Sequence, residues 1–214
     1  MISFDRREAL RYMGYHGAEP DVAVAESLER CAAELQAAVQ PKSISARFPL
    51  SFTGENTMQI GDLTVTSANL ARNLRGCTEV YLMAATLGIG ADRLIARASA
   101  VRMSDAVILQ AVAAAMIETC CDEVNDALRR TAEQEGLYCR PRFSPGYGDF
   151  SIEHQRDFSR LLDTPRKIGL TVTESCLLAP IKSVTAVIGL SPEKQDCHRK
   201  GCEECGKTDC NFRR

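Results

Sequence analysis

Residues 142–147, with the sequence RFSPGY, place a guanidinium just before a tight turn and a phenol just after it. Proline fixes φ at the first corner of such a turn, and glycine accepts the positive φ that a type II second corner requires. The turn would leave backbone N–H and C=O groups for a small ligand. Because an arginine fork matches a carboxylate, the segment predicts a site for a ligand with an amino-acid end. A surface turn with a solvated arginine is the alternative interpretation.

A second group of residues that could do chemistry lies at the end of the chain. The pattern is C-x4-C-x2-C-x4-C, formed by Cys197, Cys202, Cys205 and Cys210. Four thiolates at this spacing suit tetrahedral zinc or an iron–sulfur cluster, and spacing alone does not separate the two. A metal-free cysteine-rich tail is the alternative, and His198 is a further candidate ligand. We expect residues 191–214 to form this small metal-binding tail, separate from a domain over residues 1–190.

Glu118 is the third candidate, because it lies within the most apolar stretch of the chain, residues 106–119. An unpaired carboxylate buried there would be strongly destabilising. Glu118 is therefore expected either to serve a ligand site or to form an ion pair with an arginine. The stretch is too short to span a membrane and predicts a buried helix.

Composition narrows the class of protein. The chain has 214 residues, 45% of them hydrophobic, and a net charge of −2, which suits one globular core and argues against nucleic-acid binding. The first residues lack the apolar stretch of a signal peptide, so we expect a cytoplasmic protein. Its ten cysteines should then be thiols or metal ligands, and the six outside the tail lie in apolar surroundings typical of a core.

The elements that must position the candidate residues follow from hydrophobic periodicity. Residues 43–52 alternate with period two, and residues 80–86 form an apolar run typical of a central strand. Ser104 and Asp105 are expected to cap the longest helix, which should end at Gly136. Residues 170–176 and 183–190 are predicted to be strands. Together the pattern predicts an α+β fold in which helices flank a twisted, mostly antiparallel sheet.

Gly88 and Gly90 offer an alternative, because G-x-G after a strand can begin a nucleotide-binding turn. Arg93 stands where the third glycine of that motif belongs, and no alternating series of strands and helices follows. The two glycines are expected instead to let a strand and a helix meet.

Three blocks of sequence resemble the S-adenosylmethionine-binding activation domain of cobalamin-dependent methionine synthase. The first is R-x-x-P-G-Y at 142–147, followed by Glu153 and His154. The second is VTES at 172–175, followed by Pro180 and residues 183–184. A weaker match is AATLG at 84–88. The blocks keep the family's order across about half the chain, and short free-standing versions of the domain are similar in layout.

The resemblance implies a function in repairing cobalamin. In the family, the activation domain binds S-adenosylmethionine and presents its methyl group to cobalamin that has been oxidised to cob(II)alamin. An electron donor, commonly a flavodoxin, reduces the cobalt, and the methyl group traps it as methylcobalamin. The cofactor performs the chemistry and the protein orients the reactants.

The resemblance also implies roles for individual residues. Arg142 would bind the methionyl carboxylate, backbone near Ser144 and Gly146 would hold the amino-acid end or the adenosine, and Tyr147 would line the pocket. Glu118 and Glu174 would accept hydrogen bonds from the amino group or the ribose. Their charge would favour the sulfonium.

Other parts of the family pattern concern the corrinoid partner. Glu153 and His154 would face the cobalamin-binding protein, or would simply begin a helix. The chain lacks the D-x-H-x-x-G pattern that supplies a histidine ligand to cobalamin in the synthase, so it should act in trans on a separate corrinoid protein. Residues 177–179 (LLA) replace aromatic residues of the family, so that partner need not be methionine synthase.

Three hypotheses follow. The first is an activation subunit for a corrinoid methyltransferase, most simply a component of a split methionine synthase. The second is a redox protein whose C-terminal cluster passes an electron to the corrinoid. The third is a non-catalytic module that binds the corrinoid protein and regulates it.

Overall fold

The computed structural model describes residues 3–15 and 17–194. Within them the helices are α1 (Arg6–Tyr12), α2 (Val22–Ala38), α3 (Ala68–Asn73), α4 (Ile89–Val101), α5 (Met103–Gln134), α6 (Gln155–Leu162) and α7 (Thr164–Ile168). The strands are β1 (Lys42–Phe52), β2 (Thr57–Ile60), β3 (Leu63–Thr66), β4 (Glu79–Thr86), β5 (Tyr138–Cys139), β6 (Thr171–Val172), β7 (Leu178–Ala179) and β8 (Ser183–Ser191). A single 3-10 turn, Ile152–His154, leads into α6.

The main sheet has the strand order β3-β2-β1-β4-β8-β5, and each neighbouring pair is antiparallel. Strand β1 pairs with β4 from Lys42 opposite Thr86 to Pro49 opposite Glu79. Strand β8 pairs with the whole of β4 on its other side. The predicted α+β fold with an antiparallel sheet is thus confirmed, and the nucleotide-binding alternative is wrong because it requires a parallel sheet.

The sheet lies between two layers of helices, and β4 contributes to the core on both faces. Its odd-numbered residues from Tyr81 to Ala85 pack in the core that also contains residues of α1, α2, α4 and α5. Its even-numbered residues from Val80 to Ala84 belong to the opposite core, with α3, α6 and α7. This alternation follows from the period of two in a strand. The six described cysteines are free thiols and buried, as predicted.

Helix α5 crosses the first layer and carries Glu118. By length and composition it is the one described helix that could span a membrane, but 61% of its most apolar 18-residue stretch is buried inside the protein. The burial of these residues confirms the predicted buried helix. The predicted cap is wrong: the helix begins after Arg102 without a side-chain cap, and Asp105 instead accepts hydrogen bonds from Arg30 at 3.0 Å.

Gly90 allows two helices to approach closely. A Cβ atom built on it would lie 1.9 Å from the carbonyl oxygen of Ala38, the last residue of α2. The preceding Gly88 has a φ of +81° and begins α4. The two glycines therefore allow close packing, as predicted. The close contact, however, is between α4 and α2 and not between a helix and a strand.

The predicted strand over residues 170–176 is much shorter in the structure. Only Thr171–Val172 pairs, with β7, in a small separate hairpin. The Thr173 hydroxyl accepts a hydrogen bond from the N–H of Leu177 at 3.0 Å, and Cys176 has a φ of +61°. The side chain of a threonine thus closes a turn where β-branched composition alone predicts a strand.

Candidate functional site

The turn at 144–147 has the predicted conformation. The N–H of Tyr147 donates to the carbonyl of Ser144 at 3.2 Å, and Gly146 has a φ of +95°. The N–H of Gly146 donates to the carbonyl of Phe150 at 2.8 Å. These two N–H groups are therefore engaged within the chain and are not available to a ligand.

Asp149 attaches this segment to helix α3. Its carboxylate accepts hydrogen bonds from the Ser67 hydroxyl, from the N–H of Ala68 at 2.7 Å and from the N–H of Asn69 at 3.1 Å. Ser67 in turn caps the helix by accepting from the N–H of Leu70. The Ser67 hydroxyl and the two backbone donors hold the pKa of Asp149 below its usual value. The turn is thereby held against the first turn of α3.

Arg142 meets two carboxylates of α5. Its Nη2 atom lies 2.9 Å from Asp122 Oδ1 and 3.3 Å from Glu118 Oε2. The two acids are four residues apart and therefore share one face of the helix. The side chains are 22% exposed for Arg142, 38% for Glu118 and 64% for Asp122. The group has one cation and two anions, which leaves it net negative.

A cavity of about 350 Å³ adjoins this ion-paired group. Its walls are formed by α5, the turn and the neighbouring strands: Glu118, Arg142, Phe143, Ser144, Pro145, Tyr147, Gln155, Leu178, Ser183, Val184 and Thr185. The volume is within the range of small-molecule sites. Four of the residues predicted from the sequence, Arg142, Ser144, Tyr147 and Glu118, thus line one cavity. The ion pair expected for Glu118 is present, and its expected role in a ligand site stays a prediction.

Two predicted site residues are not part of the cavity wall. Gly146 lies in the turn itself. Glu174 is exposed in the turn between β6 and β7, where its carbonyl oxygen accepts a hydrogen bond from Arg156 at 2.6 Å.

The residues expected to face a corrinoid partner lie just before α6. Glu153 is exposed. The Nδ1 atom of His154 lies 2.9 Å from Asp157 Oδ2, and its ring centroid is 5.1 Å from that of Phe150. The imidazole is thus held by the start of α6 and by the aromatic core of the turn.

Sequence reasoning missed Gln155 and Thr185, which form a buried polar pair in the cavity wall. The Thr185 hydroxyl donates to Gln155 Oε1. Thr185 is 2% exposed and Gln155 is 7% exposed. The available signal was a threonine within the otherwise apolar strand β8. Gln155 comes into reach only through the fold, thirty residues away in sequence.

A larger cavity of about 440 Å³ lies between the end of α2, the start of β1 and α5. Its lining includes Lys42, Cys120 and Glu123 and none of the predicted site residues. Burial raises the pKa of the Cys120 thiol, which keeps it protonated and unreactive.

The predicted metal site lies outside the described residues, since all four of its cysteines belong to residues 195–214. Within residues 3–15 and 17–194, no group of three or more His, Cys, Asp and Glu side chains could hold a metal ion. The expected separation of residues 1–190 from residues 191–214 stays a prediction, and β8 continues through Ser191.

The fold is that of methionine synthase reactivation domains. The crystal structure of the MetH reactivation domain bound to AdoHcy matches this chain with a TM-score of 0.65 and 15% sequence identity. The match covers 88% of this chain and 76% of the other. No protein-family model and no curated protein sequence matches the chain. At this identity the similarity establishes the fold.

Proposed function

We propose that the protein binds S-adenosylmethionine in the cavity beside Arg142 and acts in trans as an activation subunit for a cobalamin-dependent methyltransferase, such as a split methionine synthase. The fold supports this function, because the similar reactivation domain binds AdoHcy, which has the same adenosine and amino-acid ends.

The observation that carries the proposal is the pairing of Arg142 with Glu118 in one cavity wall. The amino-acid end of S-adenosylmethionine carries a carboxylate and an ammonium group on one carbon. A guanidinium beside a carboxylate complements both charges, and the guanidinium binds the carboxylate with two parallel hydrogen bonds. The net negative charge of the Arg142, Glu118 and Asp122 group also favours the sulfonium.

Other residues in and near the cavity take supporting roles. Tyr147 is 68% exposed at the mouth of the cavity, where its ring can cover the ligand. The Gln155 and Thr185 pair supplies polar atoms deeper in the wall. Glu174 lies outside this wall, so its proposed contact is with the ribose or with the partner protein.

The reaction needs components that this chain does not supply. The partner's cobalamin provides the cobalt that accepts the methyl group once an electron donor of the flavodoxin class has reduced it. The bond between sulfur and the methyl carbon breaks, and S-adenosylhomocysteine leaves with the electron pair. This chain binds S-adenosylmethionine, orients its methyl group and excludes water from that group.

Isothermal titration of S-adenosylmethionine into the full-length protein and into Arg142→Ala tests the binding site. We expect saturable binding to the wild type and a loss of about 1.5–3 kcal/mol in the variant, the range for a hydrogen bond to a charged group. Arg129→Ala is the matched control, because Arg129 also pairs with a carboxylate of α5, Asp126, and is not part of the cavity wall. Equal affinities for the wild type and Arg142→Ala would place the ligand elsewhere.

Function in trans is tested with a cob(II)alamin-loaded corrinoid protein, a reductant and isotope-labelled S-adenosylmethionine. Labelled methyl on the corrinoid that depends on this chain supports the activation role. Binding to the corrinoid protein without any ligand binding would identify a regulatory module instead.

A further inference from the structure

We propose that Asp122 competes with the ligand's carboxylate for Arg142 and so sets how strongly the site selects ligands with an intact amino-acid end. The inference rests on the proposed function, since it concerns the same cavity. It assigns a role to Asp122, a residue that is not among the site residues predicted from the sequence.

The geometry provides the competition. Arg142 Nη2 is 2.9 Å from Asp122, which is nearer than the 3.3 Å to Glu118. The other terminal nitrogen, Nη1, is buried and has no hydrogen-bond partner among the described residues. The guanidinium therefore contacts both carboxylates through the single nitrogen Nη2. Its shape favours instead the binding of one carboxylate through two nitrogens.

Exposure decides which of the two acids a ligand displaces. Glu118 forms part of the cavity wall, whereas Asp122 does not and is 64% exposed. An ion pair with so exposed a carboxylate is weak, because water competes for both partners. A ligand carboxylate inside the cavity can therefore replace Asp122 on Arg142 and leave Glu118 for the ligand's ammonium group.

The displacement of Asp122 from Arg142 affects ligands with and without a carboxylate differently. S-Adenosylmethionine has to displace Asp122 to reach Arg142. Decarboxylated S-adenosylmethionine keeps the sulfonium and the amine but has no carboxylate, so it leaves the pair of Asp122 and Arg142 intact. Removing the charge of Asp122 weakens the attraction for the sulfonium by the same amount in both ligands. It also removes the competitor for Arg142, which benefits only the ligand that has a carboxylate.

The test measures the dissociation constants of both ligands for the wild type and Asp122→Asn by calorimetry. We expect the preference for S-adenosylmethionine over the decarboxylated ligand to rise by about two- to fivefold in the variant, the range for a single exposed ion pair. Asp126→Asn is the matched control: it removes the same charge one turn along α5, from a residue that pairs with Arg129. We expect the ratio to stay unchanged there.

The outcomes separate this inference from the function on which it rests. If the wild type binds S-adenosylmethionine and Asp122→Asn leaves the ratio of the two affinities unchanged or lowers it, Asp122 does not compete and the inference is wrong. If the wild type binds neither ligand, the proposed function itself fails. Circular dichroism of both variants shows whether they fold, and Asp122→Ala provides a second variant without the charge.

Discussion

At the scale of the residue, Asp149 attaches the turn of the site to helix α3. It lies outside the cavity wall, yet it bonds to three donors at the start of α3 and so holds the turn that carries Ser144 and Tyr147. A carboxylate at a helix N-terminus is favourable because the first N–H groups lack partners within the helix.

We expect Asp149→Asn to lower the free energy of unfolding by about 0.3–1 kcal/mol, the range for a charge at an exposed helix N-terminus, because the amide keeps an acceptor oxygen but loses the charge. The folded pKa is depressed, so this contribution is fully present above the unfolded pKa and is lost as the pH falls through the folded value. Urea unfolding of both proteins between pH 7 and about pH 3 should show the difference shrinking below about pH 4. A difference that persists at the lowest pH would contradict the assignment. Glu153→Gln, an exposed carboxylate nearby, serves as the control.

The residues of the site were only partly predictable from the sequence. Arg142, Ser144 and Tyr147 lie within six residues of one another, so local chemistry together with the family resemblance was enough to predict them as residues of one site. Glu118 was detectable because a carboxylate in an apolar helix needs a partner. Asp122 lies one helical turn after Glu118, and Thr185 lies in a largely apolar strand, so each left a weak local signal. The closeness of Asp122 to Arg142 and of Thr185 to Gln155 arises only from tertiary packing.

At the scale of the element, the closeness of α2 and α4 depends on one missing methyl group. Alanine is normally better than glycine inside a helix by about 1 kcal/mol. At Gly90 the added Cβ would meet the backbone carbonyl of Ala38, which cannot rotate away as a side chain could. Steric overlap should therefore outweigh the gain in helix propensity.

We expect Gly90→Ala to destabilise the protein by about 1–3 kcal/mol, the usual effect of overpacking a core. Thermal and urea unfolding would measure the effect. Gly54→Ala is the matched control, because a Cβ there would make ordinary contacts at 3.6 Å with Thr57. If Gly90→Ala were more stable than the wild type, α2 and α4 would not be as close as the structure has them.

Most elements were predictable because their periodicity is strong. The long strand β1, the central strand β4 and helix α5 follow from spacing that persists over many residues. Strand β5 has two residues, and β6 with β7 forms a hairpin of two residues a side, so none of the three offers a period to detect. The Thr173 turn and the start of α5 depended on individual hydrogen bonds, which composition does not encode.

At the scale of the whole molecule, the described domain and the cysteine-rich tail should be separable. All residues of the cavity wall lie between Glu118 and Thr185, and among the described residues the buried members of both cores lie between Ala9 and Leu190. A chain that ends at Lys194 keeps β8 and the hydrogen bond between Arg140 and Ser191.

We expect this shortened chain to fold and to bind S-adenosylmethionine as the full-length protein does, while losing its bound metal. Metal analysis after anaerobic purification would find zinc or iron in the full-length protein only, and visible absorption would distinguish an iron–sulfur cluster from colourless zinc. Loss of ligand binding on truncation would mean that the tail contributes to the site.

The position of β4 between the two cores has a consequence for how the protein opens. Successive residues of this strand pack on opposite faces, so either helical layer can detach only by exposing the β4 side chains of its own face. Because one strand supports both cores, we expect the two layers to unfold as one cooperative unit, with local openings of either requiring most of the global unfolding energy. A ligand that binds only the folded cavity then slows hydrogen exchange in both layers, including helices that it never touches.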